Sequence, residues 1–404
     1  MTLTHFVGGR VFDGTGSDLF AADVSIEDGA IATVGQSVRS DGDETIDVSG
    51  LTILPGFIDS HVHVCLSDLD MVKNLNTPFS YQFYLAERNL KRTLDVGITS
   101  VRDASGADLG IQQAVEDGLI DGPAMHITII ALSQTGGHGD HWLPSGNTPE
   151  VLMEHPGRPS GVIDGPDEAR KKVRELIRNG ANAIKVNTSG GVFSPRDDPR
   201  HQHFTPEELS VIVEEASRAG IYAMAHAHGT AGIKAAITAG FRSVEHGTQL
   251  DDEAISMMID NNVWLVPTLG VGQFIIDRIE AGDSVPASIA EKALANQQMR
   301  AESFGAAVAA GVRIAMGSDA AADMHGRNLI ELPLMHEAGM PALAVLEAAT
   351  HSGAELMGID DRVGTISPGK QADLLLVSGD PLDFAAYPGN IRAVYRKGRL
   401  VRSY

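Results

Sequence analysis

Two kinds of hydrophobic pattern divide the chain. Over residues 1–52, runs such as "THFVGGRVFDG", "AADVSIEDGAIATVGQ" and "ETIDVSGLTILPG" alternate apolar and polar residues. Turns such as "EDGA" separate them, as expected of half-buried strands. The C-terminal runs "KQADLLLVSGDPL" and "NIRAVYRKGRLV" read the same way. The middle of the chain differs. Helical segments such as "YQFYLAERNLKRTLDVG", "DEARKKVRELIRNG" and "TPEELSVIVEEASRAG" each close at or near a glycine. Short apolar strands stand between the helical segments: "FIDSHVHV", "ITSVRDAS", "AMHITIIAL", "ANAIKVN", "IYAMAHAH", "FRSVEHG", "NVWLVPT" and "VRIAMGSD". Eight strand-then-helix units predict an α/β chain whose centre, residues 54–358, is a (β/α)8 TIM barrel. A doubly wound open sheet is the competing arrangement, but no Gly-rich phosphate loop follows the first strand. Neither β-rich end can bury a good core alone. Residues 1–53 and 359–404 are therefore expected to pair as one small β-sandwich domain.

The strand "FIDSHVHV" carries polar residues that a core strand does not need. Listing the polar residues at the C-terminal ends of the other strands explains them. His61 and His63 end the first strand, Lys185 the fourth, His226 and His228 the fifth, His246 the sixth and Asp319 the eighth. All fall on the barrel face where active sites form. Residues two apart in a strand point to one side, so His61 and His63 both project inward. A lone histidine there is most often a hydrogen-bonded core residue. Several at matching strand ends need a common partner, because burying them unpaired is costly. A divalent metal fits, with zinc first for nitrogen and carboxylate donors, then manganese, iron or cobalt. Lys185 does not fit as an ammonium. It is either exposed or paired with a carboxylate, or it has taken up carbon dioxide to become an anionic carbamate able to bridge two metals.

Composition narrows the picture further. There are 31 Lys and Arg against 53 Asp and Glu, a formal charge of −22, in 404 residues. Such a surface repels a nucleic-acid backbone. The single cysteine, Cys65, excludes an internal disulfide and a Cys-based zinc site. No signal-peptide pattern and no apolar run of membrane-spanning length is present, so a cytoplasmic protein without membrane contact is expected.

At these residues the chain resembles the amidohydrolase superfamily. The likeness runs through "PGFIDSHVH", "AIKVN", "AHAHG", "VEHG", "GSDA" and "GTISPGKQADLLLV". It implies a distorted (β/α)8 barrel with two divalent metal ions. Transferred here, His61, His63 and Asp319 would hold the more buried ion, and His226 and His246 the second. Lys185, as a carbamate formed with CO2, would bridge them. Lys185 and His226 are 41 residues apart, and His226 and His246 are 20 apart. Those separations, "SQTGGHGDHW" and "MHGRNLIELPLM" resemble the branch of metal-dependent prolidases, Xaa-Arg dipeptidases and ochratoxin-hydrolysing amidases. The family pattern favours His226 over His228 as ligand. A homo-oligomer is expected, with an octamer among the forms considered.

The implied chemistry is hydrolysis of an amide or peptide bond by a metal-bridging hydroxide. Asp319 acts as general base and then general acid. His138, in "GGHGD", or His228 stabilises the oxyanion and touches substrate. The expected substrate is a small amide or dipeptide that releases an amino acid: a dipeptide, an N-acyl amino acid or an ochratoxin-like amide. Arg196, Arg200 and Arg327 are candidates to clamp its carboxylate. His141, His201, His203 and His325 are weaker candidates, and Cys65 reads as packing. The alternatives are a cyclic amide or imidazolone hydrolase, a deaminase, and a non-catalytic scaffold. The filled ligand positions argue against the scaffold, and Lys185 argues against a mononuclear deaminase.

Overall fold

The structure, a computed structural model, describes residues 3–36, 43–66, 68, 71–149, 151–192, 194, 197–282, 285 and 287–403. Arg196 lies outside them. The barrel expected from the sequence is present. Its strands are Phe57–His63, Ile98–Asp103, Ala124–Ile127 continued by Ala131–Leu132, Ala183–Asn187, Tyr222–Ala227, Ser243–His246 and Trp264–Val266. An extended segment at 312–319 completes the ring. Every neighbouring pair is parallel, and helices such as Pro166–Arg178, Pro206–Arg218 and Thr230–Ala239 cover the outside. Those helices start and stop where the sequence says. Thr205 forms a reciprocal capping box with Glu208, and Gly240 ends its helix at φ 91°, a conformation glycine adopts without strain.

Two strands depart from the expected regularity. The run 124–132 is broken because Ile129 adopts a left-handed φ of 69°. The ladder is then carried by single bonds, such as the Asn182 amide donating to the Ile127 carbonyl at 2.8 Å. The eighth strand is a strand only in outline. Ala315 N–H donates to the Leu265 carbonyl on one side, while on the other the Ser60 N–H of the first strand donates to the Met316 carbonyl and Asp319 N–H donates to the His61 carbonyl. Gly317 is the reason it can run so close: a Cβ there would lie 2.3 Å from Val266 Cγ1 and 2.9 Å from His61 Cβ. The strand end that carries Asp319 is thereby pressed against the one that carries His61.

The two chain ends form two further sheets. One has the order Ala30–Gly35, Asp23–Glu27, Thr4–Val7, Glu44–Asp47. The other runs Arg399–Ser403, Ile391–Arg396, Leu374–Ser378, Leu51–Pro55, Arg10–Val11, Phe20–Ala21. The antiparallel pairing of Leu51–Pro55 with Leu374–Ser378 joins the ends of the chain. Alternation along Leu374–Ser378 then decides where each side chain goes. Leu374 and Leu376 enter a core with Phe6, Val24, Ile53 and Tyr395, whereas Leu375 and Val377 join the barrel core. The sheet is therefore buried on both faces and holds the barrel against the terminal strands. No helix among the described residues is long and apolar enough to cross a membrane.

Phe6 packs edge-on to Tyr395 with ring centroids 5.0 Å apart, one residue from each end of the chain. Phe6→Ala is expected to lower stability by about 3–5 kcal/mol in a denaturant titration. A change of less than about 1 kcal/mol would show that the core between the chain ends carries little of the fold's stability.

Candidate metal centre

The polar strand ends come together in two groups, the second of which includes His228 as well as the expected His226 and His246. Ligand atoms of His61, His63 and Asp319 form one group within 4.8 Å of one another, and those of His226, His228 and His246 form a second. Asp319 Oδ1 lies 3.2 Å from His63 Nε2 and 3.5 Å from His61 Nε2. Lys185 is buried beside the first group, with Nζ 3.4 Å from His61 Nε2, and its charge also acts on His226 and His246 of the second. His246 and Asp319 both adopt left-handed backbone, at φ 74° and 56°. Non-glycine residues held there cost of order 1–3 kcal/mol each and cluster at functional sites.

Neighbouring groups fix which nitrogen of each ring faces inward. His61 Nδ1 lies 2.6 Å from Glu245 Oε2, and His63 Nδ1 lies 3.0 Å from the Ser105 carbonyl. In both rings Nδ1 carries the proton and Nε2 presents its lone pair. His246 Nδ1 faces the Thr268 hydroxyl at 2.7 Å, and His226 Nε2 faces the Gly190 carbonyl at 3.3 Å. That leaves His226 Nδ1 and His246 Nε2 facing each other at 2.9 Å. With the Thr268 hydroxyl donating to His246 Nδ1, His246 Nε2–H can donate to His226 Nδ1, and a bound cation would displace that proton and take both lone pairs. Burial keeps four of the rings neutral: it pushes His61 down to about 4, and holds His226, His228 and His246 well below the usual imidazole range; at His63 the Asp319 carboxylate outweighs burial and raises the ring instead. Neutral imidazole is the metal-binding form. The donor set therefore fits divalent metal at both groups.

Burial also lowers Lys185, to about 8. Asp319 behaves oppositely. Burial disfavours its charge, yet the neighbouring His61 and His63 hold its carboxyl well below the ordinary carboxylate range.

The support behind these residues was not foreseen from the sequence. Arg102 and Glu245 are fully buried, with Arg102 Nη2 donating to both Glu245 oxygens at 2.9 and 3.0 Å. Asp59 accepts from the His61 amide, the Ser318 amide and hydroxyl, and the Asn328 amide group. It ties the first strand to the eighth. The only signal available was an ionisable residue inside each apolar run: Asp59 in "FIDSH", Arg102 in "VRD" and Glu245 in "VEH".

The loops after the third and fourth strands cover the centre. The His138 ring stacks on His226 with centroids 4.4 Å apart. Its Nδ1 lies 2.8 Å from Ser194 Oγ and 3.3 Å from Asp197 Oδ2. Gly191 makes room: a Cβ there would fall 2.1 Å from His138 Cε1. Lys292, on helix Ala287–Ala310, donates to the carbonyls of Gly191, Ser194 and Asp197 and pins this loop. His138, His141 and His228 line a cavity of ≈ 490 Å³ above the two groups, together with Leu66, Ile130, Val192, Leu269 and Phe274.

Other candidates are placed elsewhere. Arg200 is exposed and pairs with Asp198, and Arg327 is exposed and pairs with Asp277. Neither is among the residues that line the cavity. His325 is buried with Nε2 3.2 Å from the His63 carbonyl, so it braces the first strand from behind. His203 is buried and donates its amide to Thr188, and His201 is exposed. Cys65 is buried and free.

Comparison with known proteins agrees with this geometry. Residues 52–401 match the model of the amidohydrolase family. The chain belongs to that family. Ochratoxinase from Aspergillus niger is 34% identical, over 99% of this chain and 87% of the fungal one. The crystal structure of the A. niger ochratoxinase superposes with a TM-score of 0.88 at 32% identity, covering 100% of this chain and 96% of that one. A Xaa-Pro dipeptidase with bound methionine in the active site gives 0.90 at 31% identity. A prolidase complexed with N-methylphosphonate-L-proline gives 0.92 at 34%. Both cover each chain completely. This amidohydrolase is thus a hydrolase of amide carbon–nitrogen bonds.

Glu245 orients His61 and neutralises Arg102 at once. Glu245→Gln is expected to weaken metal retention about 10–100-fold, measured by competition with a chelator. Glu245→Ala also strands the buried Arg102, and should cost about 3–5 kcal/mol of stability. Unchanged retention in Glu245→Gln would remove the orienting role.

Proposed function

We propose that this amidohydrolase is a metal-dependent peptidase or amidase that releases an amino acid with a free α-carboxylate. Its substrate class is a dipeptide, an N-acyl amino acid or an ochratoxin-like amide. The observation that carries the reading is the pair of ligand groups, with Asp319 a member of the first and Lys185 buried beside it. The prolidase neighbours support the leaving group, since methionine and an L-proline phosphonate occupy those proteins.

His61, His63 and Asp319 would hold one ion and His226 and His246 the other, with zinc preferred by the donor set. Divalent ions there supply Lewis acidity for the scissile carbonyl and make water more acidic. The chain's own residues do the rest. Asp319 is ionised at neutral pH and can take a proton from attacking water on its carboxylate. It then returns that proton to the leaving nitrogen, so the amine departs neutral. His228, braced by the Thr248 hydroxyl 2.7 Å from its Nδ1, and His138 can offer N–H groups to the oxyanion. The apolar cavity walls exclude water from the acyl and side-chain groups.

Lys185, as a carbamate, would complete the ligand set of both ions. Its amine, already lowered by burial, adds to carbon dioxide and loses a proton, leaving an anionic carboxylate on Nζ. Lys185→Ala should bind fewer than two metals per chain and lose most activity, with partial rescue by short carboxylic acids. A metal-loaded crystal with an unmodified ammonium at Lys185 would overturn the assignment.

The reaction itself is tested with a library of dipeptides and N-acyl amino acids on metal-loaded protein. Asp319→Asn is expected to lower kcat about 10²–10⁴-fold, the range for a positioned general acid–base group. Full turnover in that variant would remove Asp319 from the chemistry.

A further inference from the structure

One charged group in the cavity has no part in the centre described above. Arg300 stands on the long helix Ala287–Ala310 and is 7% exposed. It lines the cavity beside Leu269, Val271, Phe274 and Ile289. Its Nη1 donates to the Thr268 carbonyl at 3.0 Å, and the hydroxyl of that same Thr268 lies 2.7 Å from His246 Nδ1. A single residue therefore connects the guanidinium to the second ligand group. Gly272 leaves space beside it, since a Cβ there would approach Nη1 to 3.2 Å.

What Arg300 lacks is a counter-ion. Among the described residues it forms no ion pair within 4.0 Å, and its buried Nε has no hydrogen-bond partner. The carboxylates that act on it through space are Asp319 and Glu331. Both are committed elsewhere, Asp319 to His63 and Glu331 to the amides of Leu269 and Gly270. A buried guanidinium with donors unspent is destabilising unless something supplies the missing acceptors. Arg200 and Arg327, in contrast, already have carboxylate partners and sit in solvent.

We propose that Arg300 receives the α-carboxylate of the substrate's amino-acid portion and so sets a preference for amides whose leaving amine carries a free acid. This rests on the amide-hydrolysing reading above. A planar guanidinium fork matches a carboxylate, and the low-polarity walls around it strengthen the pairing. Those walls, Val271, Phe274 and Ile289, also suit an aliphatic or aromatic side chain on the same amino acid.

The test compares N-benzoyl derivatives of leucine, methionine, phenylalanine and proline with their C-terminal methylamides. Benzoate release by the metal-loaded enzyme is measured. The wild-type protein should prefer the free acids, and Arg300→Gln should lose about 10–100-fold in kcat/KM on the acids. That loss should fall chiefly on KM, with the methylamides little affected. Arg300→Lys keeps the charge without the fork and should retain part of the preference. Arg300→Gln also gives up the bond to the Thr268 carbonyl, so the diagnostic readout is the acid-selective rise in KM and not the melting temperature. A purely structural arginine would slow both substrate forms alike. If Arg300→Gln does not fold, an undiminished acid preference in Arg300→Lys overturns the proposal. An acid preference that survives in a folded Arg300→Gln also overturns it, as does equal wild-type cleavage of acids and methylamides; the hydrolase reading stands in both cases. Cleavage of none of the derivatives by the wild type overturns the amino-acid-releasing reading and this assignment together.

Discussion

The structure depends on how one end of a closed barrel accommodates charge. Arg102 and Glu245 meet there with no exposed surface, and Glu245 Oε2 also holds His61 Nδ1 at 2.6 Å. Burial by itself would raise the Glu245 carboxyl. The Arg102 guanidinium and His61 reverse that and keep it ionised. Because Arg102 also donates to the Ser60 carbonyl at 2.7 Å, the pair is fastened to the strand that carries His61 and His63. A buried pair of this kind is weak evidence for net stability, since its desolvation cost rivals its attraction. Its effect is geometric. It fixes the His61 tautomer and ring position, and thus the point at which two further strand ends must converge.

The sequence shows this arrangement unevenly. Strands such as "AIKVN" and "IYAMAHAH" were legible because parallel strands buried on both faces read as continuous apolar runs. Their terminal polar residues then stood out, which is why His61, His63, Lys185, His226, His246 and Asp319 could be selected. Glu245 and Arg102 could not be separated from ordinary strand-edge charges, since pairing them needs strands 141–143 residues apart in sequence to meet. The kink at Ile129 was invisible for a similar reason: an isoleucine in an apolar run gives no hint of a left-handed φ. Arg300 was hidden more deeply. In "ALANQQMRAESF" it is one polar residue among many on a helix. Only the packing of helix Ala287–Ala310 against Leu269–Glu280 takes it out of water.

Strain and support occur together at the strand ends. His246, Thr268 and Asp319 all occupy left-handed backbone. Each is held by groups from other elements: His246 by the Thr268 hydroxyl, Thr268 by Arg300, and the Asp319 amide by the His61 carbonyl. Over-determination of this sort is what allows unfavourable φ values to persist. It also makes the site a network, in which substitutions at neighbouring members are expected to be non-additive.

An anionic substrate has to enter a protein of net charge −22. Interactions between exposed charges fade beyond about 8 Å at physiological ionic strength, so the global sign governs approach only weakly. Inside the cavity screening is far less effective, and the local arrangement decides. There the carboxylate of Asp319 is already engaged by His61 and His63, whereas Arg300 forms no ion pair among the described residues and its Nε has no hydrogen-bond partner. The acidic exterior and the interior cation are therefore compatible. The first acts on solubility and encounter, and the second on which molecule stays bound. A protein selected for stability alone would replace such an arginine with an apolar residue. A buried arginine without an ion pair among the described residues is explained if the missing carboxylate arrives with the substrate.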